Sequence, residues 1–111
     1  MRKKTSALTN KLEEELKLLE RHIMVLKAII RNGPIGIINL AQFTGEPQHK
    51  VRYSLKVLEQ GGLIEATISG AAITKTTYKG ISHIKSMLDR IETRIGSIKQ
   101  SLAKIEPERN L

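Results

Sequence analysis

One apolar stripe does more than any other feature to limit what this chain can become. Ile81, Ile84, Leu88, Ile91, Ile95, Ile98, Leu102 and Ile105 follow one another at steps of three or four, without a slip. Steps that alternate in this way keep side chains along the narrow seam of a coiled-coil helix. The positions between them are mostly Lys, Arg, Asp, Glu, Gln and Ser. The spacing predicts a helix from Thr77, whose hydroxyl suits an N-cap, to Glu106, where Pro107 follows. At about 1.5 Å rise per residue such a helix would reach roughly 40 Å, beyond the width of a small domain. Burying its Ile and Leu side chains is worth on the order of 1.5–3 kcal/mol each against leaving them in water. The seam therefore needs a cover. Part can pack on the first long helix of the same chain, and a twofold pair of copies is the natural way to bury the rest. Parallel and antiparallel pairing are both open at this point, and Leu and Ile at both seam positions do not by themselves limit a parallel coil to two strands.

A second long helix is predicted from Thr5 to Arg31. Leu12, Leu16, Leu19, Ile23, Leu26 and Ile30 form its seam, and from His22 onward Met24, Val25 and Ile29 widen the stripe. A narrow stripe suits pairing with one or two helices, whereas a broad one belongs inside a domain core. Asn32-Gly33-Pro34 stops this helix: Asn or Gly can take a left-handed cap, and Pro cannot continue the ladder. Glu13-Glu14-Glu15 is a solvated helix face, since consecutive helical residues diverge and cannot act as an acid–base pair. The resulting domain plan is an N-terminal helical extension over 1–20, a compact domain over 21–80 and a coiled-coil helix over 81–111. Leu12, Leu16, Leu19, Ile84, Leu88, Ile91, Ile95, Ile98 and Leu102 are the expected dimer contacts.

Between the long helices, two short helical patterns cover Gly36 to Phe43 and Pro47 to Gln60. Leu63 to Ile68 and Ile73 to Thr77 read as strands, joined by a turn at Ser69-Gly70-Ala71-Ala72. The stretch LAQFTGEPQHKVRYSLKVLEQGGLIE, Leu40 to Glu65, resembles the helix-turn-helix of winged-helix transcription regulators, the superfamily that includes the ArsR and MarR types. Ala41 is small where the first helix crosses the second, and Gly45 permits the turn between them. Val51, Leu55 and Leu58 put branched side chains on one face of the second helix. Gly61-Gly62 ends that helix, and Leu63-Ile64-Glu65 resembles the start of the wing strand. Thr77, Lys79 and Gly80 echo the Thr-x-Lys-Gly that opens the helix after the wing. Three places depart from the pattern. Glu46 stands at a position usually apolar, Pro47 replaces a Ser or Thr cap as a first helical residue, and Gly70-Ala71-Ala72 lacks the basic residue common at a wing tip. The resemblance implies a mainly α fold with a small β-hairpin wing (α+β), a winged helix-turn-helix with extended N- and C-terminal helices. Helix-flanked winged helices of this sort resemble archaeal DNA-binding proteins in particular.

With Val51, Leu55 and Leu58 inward, helical geometry turns His49, Arg52, Tyr53 and Lys56 outward, with Gln48 and Lys50 on the flanks. Arg and Lys can pair with guanine edges or phosphates, Gln with adenine, and Tyr with a phosphate. Gln48, His49 and Arg52 are the expected base readers of a double-stranded DNA site. Lys50, Tyr53 and Lys56 are the expected backbone contacts, with Lys75 the only cation near the wing. A merely solvated polar face is the competing reading. Arg2-Lys3-Lys4 reads either as an arm trailing along phosphates or as a plain solvated terminus.

Composition narrows the function classes. The formal net charge of the 111 residues is +8, which favours an anionic partner, nucleic acid before a membrane surface. There is no cysteine, so disulfides, thiolate metal sites and cysteine nucleophiles are excluded. No apolar run approaches a spanning segment and no signal core follows the basic N-terminus, so a cytoplasmic protein is expected. His22, His49 and His83 fall on three different helices with neither a His-x-x-x-His pair nor a nearby acidic cluster, an arrangement that predicts no metal site. His22 and His83 fall where the two long helices would pack, and a hydrogen-bonded histidine is the expected outcome there. No nucleophile is paired with a base, and no cofactor is expected. The expected protein is a homodimeric, sequence-specific, non-enzymatic regulator of transcription. The alternatives are a low-specificity chromatin-type DNA-binding protein and a protein-interaction module of the transcription or replication machinery.

Overall fold

The computed structural model describes residues 2–107, and the side chains of residues 6–107. Six elements follow in order: α1 (Arg2–Asn32), α2 (Ile37–Thr44), α3 (Gln48–Gln60), β1 (Ile64–Thr67), β2 (Gly70–Ile73) and α4 (Thr77–Ala103). Backbone contacts group them into two units, one ending at Tyr78 and the next beginning at Lys79.

In the first unit α1 packs on α2 and α3, and α3 packs on β1. The widened half of the α1 stripe supplies Val25, Leu26 and Ile29 to the core, where they meet Ile35, Leu40, Val51, Leu58, Leu63, Ile64 and Ala71, all buried. The narrow half stays uncovered, with Leu8, Leu12 and Leu16 exposed. The basic run Arg2-Lys3-Lys4, read as a possible arm, begins α1 instead; its side chains lie outside the described residues.

The stop after α1 works differently from the expected left-handed cap, because neither Asn32 nor Gly33 has positive φ. The Asn32 amide donates to the Ala28 carbonyl at 3.0 Å, and the Gly33 N–H donates to Ile29 at 2.7 Å. A Cβ on Gly33 would stand 2.6 Å from the Ile29 carbonyl oxygen. The glycine is needed for close approach, not for handedness.

The hairpin is shorter and earlier than expected. β1 and β2 pair antiparallel from Ile64↔Ile73 to Thr67↔Gly70, so Ile68-Ser69 is the turn and Gly70-Ala71-Ala72 belongs to the second strand. A contact distant in sequence decides this. Ile35 and Ala71 exchange two backbone hydrogen bonds, at 3.0 and 2.8 Å, forming an isolated antiparallel bridge. Gly70 (φ 122) lies against the Ile35 backbone so closely that a Cβ would fall onto the Ile35 carbonyl group. Only glycine fits there.

α4 also starts by another route. Thr77 is fully buried and donates its hydroxyl to the Leu63 carbonyl at 2.8 Å. Its oxygen accepts the Thr74 N–H at 2.8 Å, while the Thr74 oxygen accepts the Thr76 N–H at 3.1 Å. Thr74, not Thr77, stands as the cap, in a reciprocal arrangement resembling a capping box. The helix ends at Ala103, short of Glu106, in a turn where Ile105 N–H donates to Leu102.

In the second unit Ile84 is half-buried, and Leu88, Ile91, Ile95, Ile98 and Leu102 are exposed. No described helix is long and apolar enough to cross a membrane.

Candidate nucleic-acid interface

α3 carries the candidate surface, and its two faces are set by the amphipathic spacing. Val51, Ser54 and Leu58 are buried and Leu55 is half-buried. Gln48, His49, Lys50, Arg52, Tyr53 and Lys56 are all exposed. Lys75, in the turn between β2 and α4, is exposed as well. A continuous polar and cationic strip therefore runs along one side of a thirteen-residue helix.

The turn before α3 fixes how that helix is presented. Gly45 closes α2 in the left-handed conformation, φ 74, and its N–H donates to Ala41 at 2.9 Å. The Thr44 hydroxyl donates to Leu40 at 2.7 Å and accepts the Glu46 N–H at 3.3 Å. Glu46 is half-buried, which accommodates a carboxylate where an apolar residue was expected. Pro47 precedes the helix as its N-cap rather than as its first residue. It has no side-chain acceptor, and its carbonyl receives Lys50 and Val51 N–H at 3.0 and 3.1 Å.

A polar contact that composition and spacing did not reveal ties α3 to α1. His22 Nδ1 lies 2.7 Å from the Ser54 hydroxyl, both side chains buried. The Tyr53 ring packs on the His22 imidazole at a centroid distance of 5.7 Å and a tilt of 47°. Burial, and secondarily the Arg21 charge, lower the His22 pKa below its usual value of 6.5. His22 is thus the hydrogen-bonded histidine expected, but its partner is a serine 32 residues on. Half of Tyr53 is spent on this packing, and its other half remains on the exposed strip.

The flank of the strip is mixed in sign. Lys50 and Glu46 line an open groove with Glu14, Glu15 and Arg21 of α1. Lys50 consequently has carboxylates as neighbours, whereas Arg52 and Lys56 are not part of that groove.

The hairpin tip contributes no charge. Ile68 is fully exposed at its apex. The Thr67 hydroxyl donates to the Gly70 carbonyl at 2.7 Å and accepts the Ser69 N–H at 3.2 Å, which locks the turn. Among the described residues, no group of three or more His, Cys, Asp or Glu is placed to hold a metal ion.

No family model matches the chain. Over 67 residues, 60% of its length, the chain is 33% identical to the HTH-type transcriptional regulator NmtR of Mycobacterium tuberculosis (strain ATCC 25618 / H37Rv). Three helices, a two-stranded hairpin bridged to Ile35 and a following helix, together with that similarity, settle the fold. The fold is a winged helix-turn-helix. In this winged helix, α2 and α3 are the helix-turn-helix and β1–β2 the wing. The chain spans about half of that regulator, 53% of its length. The regulator is bacterial and lends nothing to an archaeal assignment. A solved structure of a protein with unknown function from Listeria innocua Clip11262 is similar at a TM-score of 0.48 and 18% identity, covering 95% of this chain and 94% of that one. That likeness is too loose to identify anything further.

Proposed function

We propose that this winged helix binds double-stranded DNA as a homodimer and regulates transcription in the cytoplasm, without catalysing a reaction. The observation that carries the reading is the division of α3: a sealed apolar face behind an open strip of Gln48, His49, Arg52, Tyr53 and Lys56. An α-helix with such a strip fits a major groove, where Arg reads guanine and Gln reads adenine. Gln48, His49 and Arg52 read bases in this proposal, and Tyr53, Lys56 and, on the flank, Lys50 hold phosphates. The net charge of +8 adds non-specific attraction. The similarity to a transcriptional regulator supports the same reading, and the exposed seams of α1 and α4 support pairing of copies.

Titration of the purified protein against random duplex DNA at several salt concentrations tests it. Log affinity is expected to fall linearly with log salt. A selected site should be preferred over random duplex by about a thousandfold or more; a chromatin-type protein would show little preference. Arg52→Ala is expected to cost about 1–3 kcal/mol at one base position and relax specificity there. Lys56→Ala should weaken all sequences alike and reduce the salt slope by about one. Duplex binding unchanged by Arg52→Ala removes that residue from the site.

The fully exposed Ile68 and the uncharged wing favour one competing reading, a winged helix that docks on another protein. Absence of duplex binding at low salt would decide for it.

A further inference from the structure

The seam of α4 carries a charge pattern that selects one way of pairing. Numbering the seam as a coiled coil puts Leu88, Ile95 and Leu102 at one core position and Ile84, Ile91, Ile98 and Ile105 at the other. The residue after each of the latter is Lys85, Glu92, Lys99 and Glu106. These flanking residues are all exposed, fall seven apart and alternate in sign. On the opposite flank stand Met87, Arg94 and Ser101, which carry a single charge. Flanking charges set partner choice and orientation in coiled coils.

We propose that α4 pairs with α4 of a second copy in antiparallel orientation, with the twofold axis passing between Gly96 and Ser97. In that register Ile95 packs on the partner's Ile98, and Ile91 on the partner's Leu102. Glu92 faces the partner's Lys99 twice across the axis. Lys85 faces the partner's Glu106 just beyond the last helical turn, and Arg94 faces the partner's uncharged Ser101. Every flanking contact is attractive or neutral.

The neighbouring arrangements lose this match. A slip of one heptad toward the N-terminus sets Glu92 against its own copy and Lys85 against Lys99. A slip the other way sets Lys99 against its own copy and Glu92 against Glu106. In a parallel pair each flank meets the opposite flank of the partner, so Arg94 opposes Lys99 and no attractive pair forms.

This pairing rests on the homodimer proposed above, and the test separates the two. Because the chain has no cysteine, single cysteines report contacts without background. Ile91→Cys and Leu102→Cys proteins, mixed and mildly oxidised, are expected to form the mixed disulfide and little of either self-disulfide. Self-disulfides of Ile91→Cys would indicate parallel seams and overturn the proposal. A dimer by sedimentation that forms neither disulfide would also overturn it, because the copies then meet elsewhere. A monomer at all concentrations would defeat the homodimer itself, whatever the DNA titration shows.

Charge reversal gives an independent readout that leaves the seam intact. Lys99→Glu turns two attractive pairs repulsive and is expected to raise the dimer dissociation constant about tenfold at low salt. Adding Glu92→Lys to the same chain should restore it. In a parallel pair Lys99→Glu would relieve the clash with Arg94 and tighten the dimer, the opposite sign.

Discussion

Val25, Leu26 and Ile29 of α1 are sealed at 0%, 2% and 1% exposure, whereas Ile91, Ile95 and Ile98 of α4 stand at 42%, 38% and 55%. Both stretches are amphipathic helices rich in Ile and Leu. Width separates them. In the second half of α1 the seam is joined by Met24, Val25 and Ile29, so the apolar face is broad enough to be enclosed by α2 and α3. α4 never widens beyond its seam and, among the described residues of its own unit, has nothing to enclose it. The first half of α1 behaves like α4: Leu8 is 84% and Leu12 50% exposed. One helix thus contains both fates, and the changeover falls between Leu16, exposed, and His22, buried. A periodic stripe identifies a helix; its breadth identifies whether the cover comes from the same chain.

The largest effect expected from this contrast is in the broad stripe. Ile29→Ala empties a site enclosed on every side and should destabilise the winged unit by about 2–5 kcal/mol. Denaturant unfolding should register that loss equally at low and high protein concentration. Ile98→Ala is the matched substitution in the narrow stripe. It should leave unfolding of the dilute, dissociated protein nearly unchanged while raising the dimer dissociation constant tenfold or more, as read by sedimentation. If Ile98→Ala destabilised the dilute protein as strongly as Ile29→Ala, the two stripes would not differ in kind.

A smaller effect belongs to the uncovered half of α1. Leu12→Ala should cost well under the Ile29→Ala loss in the dilute protein, about 0.5 kcal/mol or less, since exposed positions away from a core tolerate truncation. A thermal melt of the dilute protein measures it. A loss comparable to that of Ile29→Ala would mean that Leu12 is enclosed within its own chain after all.

Both long helices were legible in the sequence because their evidence is local and repeats over many turns. α2 and α3 were legible too, each within a residue or so of the expected start, since Gly45 and Gly61 punctuate them. The wing was not placed correctly. Ser69-Gly70-Ala71-Ala72 looks like a turn because small residues give no alternation to read, while the feature that makes Gly70-Ala71-Ala72 a strand is the backbone of Ile35, far upstream. The cap of α4 failed for a related reason: Thr74 and Thr77 are both capping residues by type, and only the Leu63 carbonyl, claimed by Thr77, tells them apart. On α3 the polar strip followed from helical spacing alone. Ser54 did not, because a serine gives no sign of burial until His22 is brought beside it.

His22 sits where the narrow stripe becomes broad, and it yields the smallest but sharpest prediction. Burial holds its pKa below 6.5 in the folded chain, so the unfolded chain binds the proton more tightly. Above about pH 6.5 both states carry a neutral imidazole and the residue adds no pH dependence. As the pH falls below that value the unfolded chain protonates first, and stability declines until the pH passes the folded pKa, where the decline levels off. A His22→Asn variant keeps a polar group near Ser54 but cannot titrate. Plotted as wild type minus variant, unfolding free energy should be flat above about pH 6.5 and slope downward on the acid side, with contributions from every other group cancelling. A difference that stays level through the acid range would mean that His22 is solvated in the folded chain, and that the broad, enclosed part of α1 begins only after it.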